Sequence, residues 1–267
     1  MTIRTGIGGW TYPDWRKGAF YPDGLRQADE LSHAARRVGA IEINGTFYRL
    51  QKPESFARWR EETPPGFVFA IKGSRYVTNR KDLSQARESV DTFVGQGIAE
   101  LGDRLGPALW QLAKTKRFDR DEIAAFLALL PRETGGLPLR HAIEAGHESF
   151  ACPAFVDLAR DAGVAIVWSE DEGRARIADR TADFAYLRCQ QMRSEIATGY
   201  DEAGLERIAA MCRAWSEGAA PEGLPYAGDP GDSAGGGGDV FAFMINGAKE
   251  RAPAAAMALA ERVEGSE

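Results

Sequence analysis

Polar and charged side chains stand at the ends of several short apolar stretches of the sequence. These residues are Glu42, Asn44, Lys72, Gln111, Glu144, Arg188 and Asn246. A carboxylate or an amine can transfer a proton, a cation can hold an anion, and an amide can orient a hydroxyl group. We therefore take Glu42, Glu144 and Lys72 as candidate catalytic residues and the other four as candidate ligand-binding residues. As an alternative, Arg188 could form a structural ion pair with one of the glutamates.

Two further stretches combine aromatic and basic side chains. Trp10, Tyr12 and Trp15 follow the first apolar stretch, and the segment from Arg75 to Lys81 follows the third. Aromatic rings beside cations can stack on a flat ligand and pair with its phosphate or carboxylate. We expect Trp10, Tyr12 and Arg75 to bind a ligand, although the aromatic residues could instead fill one end of the fold.

The sequence gives little support to metal chemistry. Of its three histidines only His147 follows an apolar stretch closely, so no zinc site is predicted. Glu42 and Glu144 could together hold Mg²⁺, and no other cofactor is indicated. The sequence contains no GxGxxG or GxxxxGK[ST] phosphate loop.

The candidate residues are placed by an alternation of apolar strands with amphipathic helices. The predicted strands cover about 4–8, 40–44, 67–72, 107–112, 139–144, 164–169, 184–188 and 240–246. Predicted helices lie within 28–38, 56–62, 86–101, 121–130, 153–162, 205–215 and 253–263. Eight βα units predict a TIM-type (β/α)8 barrel formed by one domain, residues 1–267, with its site at the carboxyl ends of the strands. The sixth unit is the weakest, because only a short helix fits between Asp171 and Ala182.

The alternation within strands predicts which side chains face the barrel interior. In strand two we expect Glu42 and Asn44 to face inward, because Ile41 and Ile43 form the bulkier face. The same argument turns Lys72 of strand three inward. In strand eight it predicts that Ala242, Met244 and Asn246 face inward and that the phenylalanines face the helices.

One segment departs from the general composition. Residues 218–239 include the glycine run Gly235 to Gly238 and predict a flexible loop. The loop enters strand eight from its amino-terminal side, which is the stability face of a barrel, so a phosphate-binding role is not expected.

Composition limits the classes of function. The formal net charge of -6 disfavours nucleic acid as the main partner, because phosphate binding requires clustered Lys and Arg. Three cysteines without CxxC spacing favour a reducing compartment, and we expect a cytoplasmic protein. Neither a secretory signal nor a membrane span is apparent in the sequence, so no membrane partner is expected.

Several motifs resemble those of the YecE-like family, a domain-of-unknown-function family (DUF72). The resemblance runs nearly end to end and is carried by Gly8 to Tyr12 with Trp15, Glu42 to Tyr48, Pro64 to Phe69 with Lys72, Gly106-Pro107, and Gln111-Leu112. It implies a TIM-type barrel and no established reaction; a nuclease-like role has been considered for the family by analogy.

The chain departs from the pattern of that family at the predicted mouth. The family usually has Thr-His after strand three, Glu-x-Arg-His after strand five, Arg-x-His-Gly after strand seven and paired asparagines after strand eight. This chain has instead Thr78-Asn79, Glu144-Ala145-Gly146-His147, Arg188-Cys189-Gln190-Gln191 and Ile245-Asn246. It is therefore identified as a divergent member without several of the usual His and Arg residues.

Three hypotheses about function follow. In the first, the mouth binds a small phosphorylated or carboxylated, sugar-like compound, held by Lys72 and Arg188, with Glu42 or Glu144 as acid or base in an isomerisation or hydrolysis. In the second, the chain binds a nucleotide or single-stranded nucleic acid through its aromatic and basic loops. In the third, it is a catalytically silent binding scaffold.

Overall fold

Eight parallel strands close into a barrel in the computed structural model, which describes residues 1–233 and 236–265. The strands are β1 (Ile3–Gly8), β2 (Ala40–Ile43), β3 (Val68–Lys72), β4 (Leu105–Gln111), β5 (His141–Glu144), β6 (Ala165–Ser169), β7 (Phe184–Cys189) and β8 (Asp239–Met244). Each pairs with its neighbours in sequence, and β8 pairs with β1 to close the ring. The predicted TIM-type barrel is confirmed.

Helices connect most of the strands. They are α1 (Glu30–Ala34), α2 (Gly45–Tyr48), α3 (Pro53–Glu61), α4 (Arg75–Thr78), α5 (Arg87–Val94), α6 (Arg120–Ala128), α7 (Pro153–Ala162), α8 (Glu202–Glu217) and α9 (Ala252–Glu264). Of these, α7 has the predicted bounds. The helix predicted over 86–101 ends early, because Gly97 adopts φ 106° and a separate 3-10 segment, Ile98–Arg104, follows it. Within the described part of the chain, no helix is long and apolar enough to cross a bilayer.

Residues 170–183, all of them described, connect β6 to β7 through turns and coil, in place of the short helix that the spacing allowed. Most of the predicted glycine-rich loop, 218–239, is also coil. Part of this loop is hydrogen-bonded to the β6–β7 connection. Asp179 of the connection accepts hydrogen bonds from the backbone nitrogens of Ala227 and Gly228 at 2.7 and 3.0 Å. Gly235 lies outside the described residues, and the flexibility of the loop stays a prediction.

The barrel interior is filled by side chains from alternating strand positions. On β2 and β3, Ala40, Val68 and Ala70 belong to the interior cluster, so the facing predicted for these strands is confirmed. The facing predicted for β8 is wrong. Phe241 and Phe243 lie inside with Phe184 and Tyr186, whereas Ala242 and Met244 pack against the helices.

The reversed facing of β8 has a physical cause on the neighbouring strand. Gly6 of β1 pairs with Phe243, and a Cβ atom on Gly6 would lie 2.9 Å from the Phe243 ring and 2.4 Å from the Ala40 carbonyl oxygen. The absent side chain of β1 therefore leaves the space that the bulky side chains of β8 fill.

The amino-terminal end of the interior is closed by ionic and aromatic contacts. The Arg140 guanidinium lies 5.1 Å from the Phe184 ring centroid and 5.0 Å from that of Phe241, and it pairs with Asp239 at 3.2 Å. This end is thus sealed, and the opposite end carries the predicted site.

Candidate functional site

A buried ion cluster occupies the carboxyl-terminal end of the barrel interior. Arg188, only 2% exposed, donates from Nε to Glu42 Oε2 at 3.1 Å and from Nη2 to Glu42 Oε1 at 3.0 Å. Its Nη1 donates to Glu144 Oε2 at 2.7 Å. The period-two alternation of strands points all three side chains inward, and one guanidinium consequently bridges the two carboxylates that the sequence singled out.

Neighbouring strands supply further hydrogen bonds to the two carboxylates. The Tyr186 hydroxyl, two residues before Arg188 on the same strand, donates to Glu42 Oε2 at 2.8 Å. Gln111 pairs in register with Glu144 and donates to its Oε2. Burial is the largest influence on Glu144 and would raise its pKa, but Arg188, Arg174 and hydrogen bonding together lower it. Glu144 is therefore an ionised carboxylate at neutral pH.

Lys72 is the unpaired member of this cluster. Its side chain is half-buried, and Nζ lies 4.5 Å from the centroid of the Phe47 ring. Burial and the nearby Arg188 lower the pKa of Lys72 to about 8, against the opposite effect of Glu42 and Glu144. No hydrogen bond or ion pair of Nζ is found within residues 1–233 and 236–265. Such an amine can hold an anion and can also exchange a proton near neutral pH.

Arg174, which sequence reasoning missed, reaches the cluster from the coil between β6 and β7. Its Nη1 donates to the Leu112 carbonyl oxygen at 2.7 Å, and its Nε lies 3.8 Å from Glu144 Oε1. Asp171 of the same segment pairs with Lys114 at 2.7 Å. The sequence offered one indication of Arg174, namely that the sixth βα unit has little room for a helix. A connection without a helix can direct a side chain into the barrel mouth.

An open pocket of about 380 Å³ lies at the carboxyl ends of β1 and β2. Its lining comprises Gly8 to Thr11, Ile43 to Gly45, Arg49, Gln51, Trp59 and Lys249. Trp10 forms one wall and packs edge-on against Trp59, with ring centroids 5.2 Å apart. The pocket thus combines aromatic walls with two cations.

Lys249 is the second functional candidate that the sequence did not reveal. Its Nζ lies 5.2 Å from the centroid of the Tyr12 ring. Burial lowers the pKa of Lys249 below its ordinary value, although the charge of Glu42 acts in the opposite direction. The residue begins the 3-10 turn Lys249–Arg251 before α9, and its carbonyl oxygen accepts a hydrogen bond from Trp15 Nε1 at 2.9 Å. Its electrostatic interaction with Glu42 links the open pocket to the buried cluster.

Of the remaining candidates from the sequence, Asn44 lies in the pocket, whereas Asn246 and Arg75 lie away from the ion cluster. Asn44 lines the pocket and donates to the Glu42 carbonyl oxygen at 3.3 Å. Asn246 is exposed and donates to Gln190 at 3.3 Å, and the exposed Arg75 guanidinium lies 5.4 Å from the Tyr76 ring. Neither Asn246 nor Arg75 contacts the ion cluster in the described part of the molecule.

The residues that replace the usual histidine segment after β7 hold a loop in place. Glu170, which is buried, accepts hydrogen bonds from the backbone nitrogens of Gln190 and Gln191 at 2.8 and 3.3 Å. The Tyr200 hydroxyl donates to the same carboxylate oxygen at 2.5 Å. These positions therefore serve the architecture of the mouth.

A divalent-cation site is not assembled by the described residues, where no three His, Cys, Asp or Glu side chains converge. Three of the four carboxylate oxygens of Glu42 and Glu144 already meet Arg188, whose charge would repel a cation. His147 accepts a hydrogen bond from the Ser149 backbone nitrogen at 3.0 Å. It precedes the 3-10 turn Glu148–Phe150 and contacts Arg117, and no contact of its ring with the two glutamates is found in the described part of the chain.

The fold and the site define a TIM-barrel protein with an ionised cluster at the carboxyl-terminal mouth. A family model described as "Protein of unknown function DUF72" matches residues 4–267, and the chain belongs to this family. The resemblance to YecE-like proteins is thereby confirmed.

Relatives and solved structures agree with this assignment. The UPF0759 protein YecE of Escherichia coli is 32% identical over 143 residues, which are 52% of this chain and 48% of that protein. The chain thus matches about half the length of this curated relative. A DUF72 family protein from Thermotoga maritima has a TM-score of 0.73 and 21% identity, with 99% of this chain and 100% of that chain covered. D-psicose 3-epimerase has a TM-score of 0.54 and 11% identity, with both chains covered completely. These two likenesses show the fold alone.

Proposed function

We propose that the barrel mouth binds a small phosphorylated or carboxylated, hydroxyl-bearing compound and exchanges a proton with it through Lys72. The observation that carries this proposal is the Lys72 amine, which is half-buried, makes no direct ion pair with the described residues and has a pKa of about 8. Charged groups are rarely left unpaired in such surroundings, and perturbed pKa values cluster at functional sites.

The charge balance of the mouth favours an anionic ligand. Lys72 interacts electrostatically with Arg188, Arg174, Glu42 and Glu144, and Asp171 pairs with Arg174, so three cations face three carboxylates. Lys249 adds a further cation beside Glu42. A phosphate or carboxylate would offset this positive excess, with Lys249 in the open pocket and Trp10 as a stacking surface.

The roles of the other residues differ from the sequence hypothesis. Arg188 is buried, and three of its five N–H groups are used by Glu42 and Glu144. We assign it the positioning of these carboxylates. At pH 7 a Lys72 amine with a pKa of about 8 is neutral in about one molecule in ten. That fraction is sufficient for general-base catalysis of an isomerisation or hydrolysis.

A second candidate is nucleotide or single-stranded nucleic-acid binding. Its support is the rim beside β3, where Tyr76 is 63% exposed next to Arg75, an arrangement that can stack on a base. The net charge of -6 opposes this candidate. A binding scaffold without turnover would use the same pocket as the first proposal, and only assays of turnover separate the two.

Calorimetric titration with inorganic phosphate, glycerol 3-phosphate and a thymidine oligonucleotide tests the proposal. We expect glycerol 3-phosphate to bind the wild-type chain, and Lys249→Met to weaken this binding by about tenfold or more. Lys81→Met, which removes an exposed cation away from the pocket, serves as the control and should bind normally. Binding of the oligonucleotide alone, with sensitivity to Lys81→Met, would favour nucleic acid instead.

A further inference from the structure

Two buried polar atoms in the ion cluster lack hydrogen-bond partners in the described structure. They are Oε1 of Glu144 and Nε of Arg174, which lie 3.8 Å apart. The Glu144 side chain is 1% exposed and that of Arg174 is 8% exposed, so solvent does not satisfy either atom. Buried polar groups are nearly always paired in native proteins, and an unpaired donor facing an unpaired acceptor therefore suggests a missing partner.

The other atoms of both side chains are already held. Arg174 Nη1 is fixed by the Leu112 carbonyl oxygen at 2.7 Å, and Glu144 Oε2 is fixed by Arg188 at 2.7 Å. These bonds orient the planar groups. Nε also forms an ion pair with Asp171 Oδ2 at 3.5 Å, but Nε and Oε1 are the positions left without a hydrogen bond among the described residues. The Ser169 hydroxyl faces the same carboxylate and helps to lower its pKa.

We propose that Glu144 Oε1 and Arg174 Nε form a subsite for a hydroxyl group of the ligand. An oxygen placed beside this pair can accept from Nε–H and donate its own proton to Oε1. An alcohol meets both requirements, whereas a phosphate or carboxylate oxygen has no proton to donate and a methylene group can do neither. Gln111 and Lys72 border the cluster and are only half-buried, so they mark the side from which a ligand approaches.

This inference rests on the proposed anion binding and deepens it by naming the second group that the ligand carries. The anionic group pairs with Lys72 and Lys249, and the hydroxyl reaches the Glu144–Arg174 pair. Such a ligand is a phosphate ester or a carboxylic acid of a polyol or sugar, and an anion without a hydroxyl group would not fit.

Two phosphate esters with the same number of carbon atoms separate the two claims. We expect glycerol 3-phosphate to bind the wild-type chain at least about tenfold more tightly than propyl phosphate, which lacks the hydroxyls. In Arg174→Met this ratio should fall to near one. In Lys81→Met, which removes an exposed cation away from Arg174 and Asp171, the ratio should be kept.

Each other outcome contradicts a specific claim. Equal affinity of the wild type for the two esters would overturn the hydroxyl subsite, leave anion binding intact and indicate a buried water between the two side chains. A hydroxyl preference that survives in Arg174→Met would also overturn the subsite. Failure of both esters to bind would overturn the proposed function itself. If Arg174→Met does not fold, Arg174→Lys provides the same comparison, since it keeps the charge and removes Nε.

Discussion

Arg188 and Glu42 meet in two parallel hydrogen bonds, at 3.1 and 3.0 Å, inside the barrel and out of contact with solvent. Placing two charges in such surroundings has a large desolvation cost, which close geometry and further hydrogen bonds offset. Tyr186 and Glu144 provide those further bonds. The Arg188 guanidinium therefore holds the carboxylates in fixed positions, and its removal should lower the stability of the whole fold.

We predict that Arg188→Met lowers the free energy of unfolding by about 3 to 5 kcal/mol, because it leaves Glu42 and Glu144 buried without a counter-charge. Urea denaturation followed by circular dichroism measures this change. The control is Arg26→Met, which breaks an exposed pair with Asp29 at 2.7 Å and should cost less than about 1 kcal/mol. Similar small losses in both variants would show that the cluster contributes little to stability.

Lys72→Met should stabilise the fold at neutral pH while it weakens phosphate binding. The pKa of Lys72 falls from 10.5 to about 8 on folding, so the unfolded chain binds the proton more tightly. The wild type is thus penalised below pH 8 and gains stability as the pH rises from about 8 to above 10. At pH 7 we expect the variant to be more stable by about 1 to 3 kcal/mol, with the difference shrinking toward pH 10.

Thermal unfolding of both proteins across this pH range tests the expectation. A variant that is less stable than the wild type at pH 7, or a stability difference that does not change with pH, would show that Lys72 is not penalised by its surroundings.

Chemical labelling gives an independent measure of the Lys72 amine. Acetic anhydride reacts with the neutral amine only, so the labelling rate of Lys72 should reach half its maximum near pH 8. The side-chain amine of Nα-acetyl-lysine amide, added to the same reaction as a reference compound, has an ordinary pKa of about 10.4 and should need a pH about two units higher. Competitive labelling with mass-spectrometric readout at each pH resolves the individual residues. Coincident titration curves for Lys72 and the reference compound would contradict the assignment.

A pair of glycine substitutions tests the packing between β1 and β8. In Gly6→Ala the new methyl group would lie 2.4 Å from the Ala40 carbonyl oxygen and 2.9 Å from the Phe243 ring, and we expect a loss of about 1 to 3 kcal/mol or more. In Gly39→Ala the nearest atoms would be at 3.5 Å or beyond, so stability should change little. Chemical denaturation of both variants measures the difference, and equal effects would contradict the argument for the facing of β8.

The sequence located Glu42, Glu144 and Arg188 because parallel strands bring their carboxyl ends together and alternation fixes the facing of each side chain. It could not locate Arg174 or Lys249, since both reach the mouth from connections whose paths depend on packing across the whole molecule. The facing of β8 failed for a related reason. The bulk of its phenylalanines predicted that they face the helices. They face the interior because Gly6, on the paired strand, leaves space for them there. A strand can therefore be oriented from sequence only when its neighbours are considered with it.

The aromatic filling of the interior also limits how deep any ligand can go. Tyr186 lies directly beneath Glu42 and Arg188, and Phe241 and Phe243 pack around it down to the sealed amino-terminal end. The ion cluster therefore rests on closely packed aromatic rings, which fill the barrel axis below it. Under the proposed function we expect a bound molecule to lie across the mouth, between the pocket at β1 and β2 and Arg174 after β6, so that recognition depends on the lateral spacing of its functional groups more than on its length.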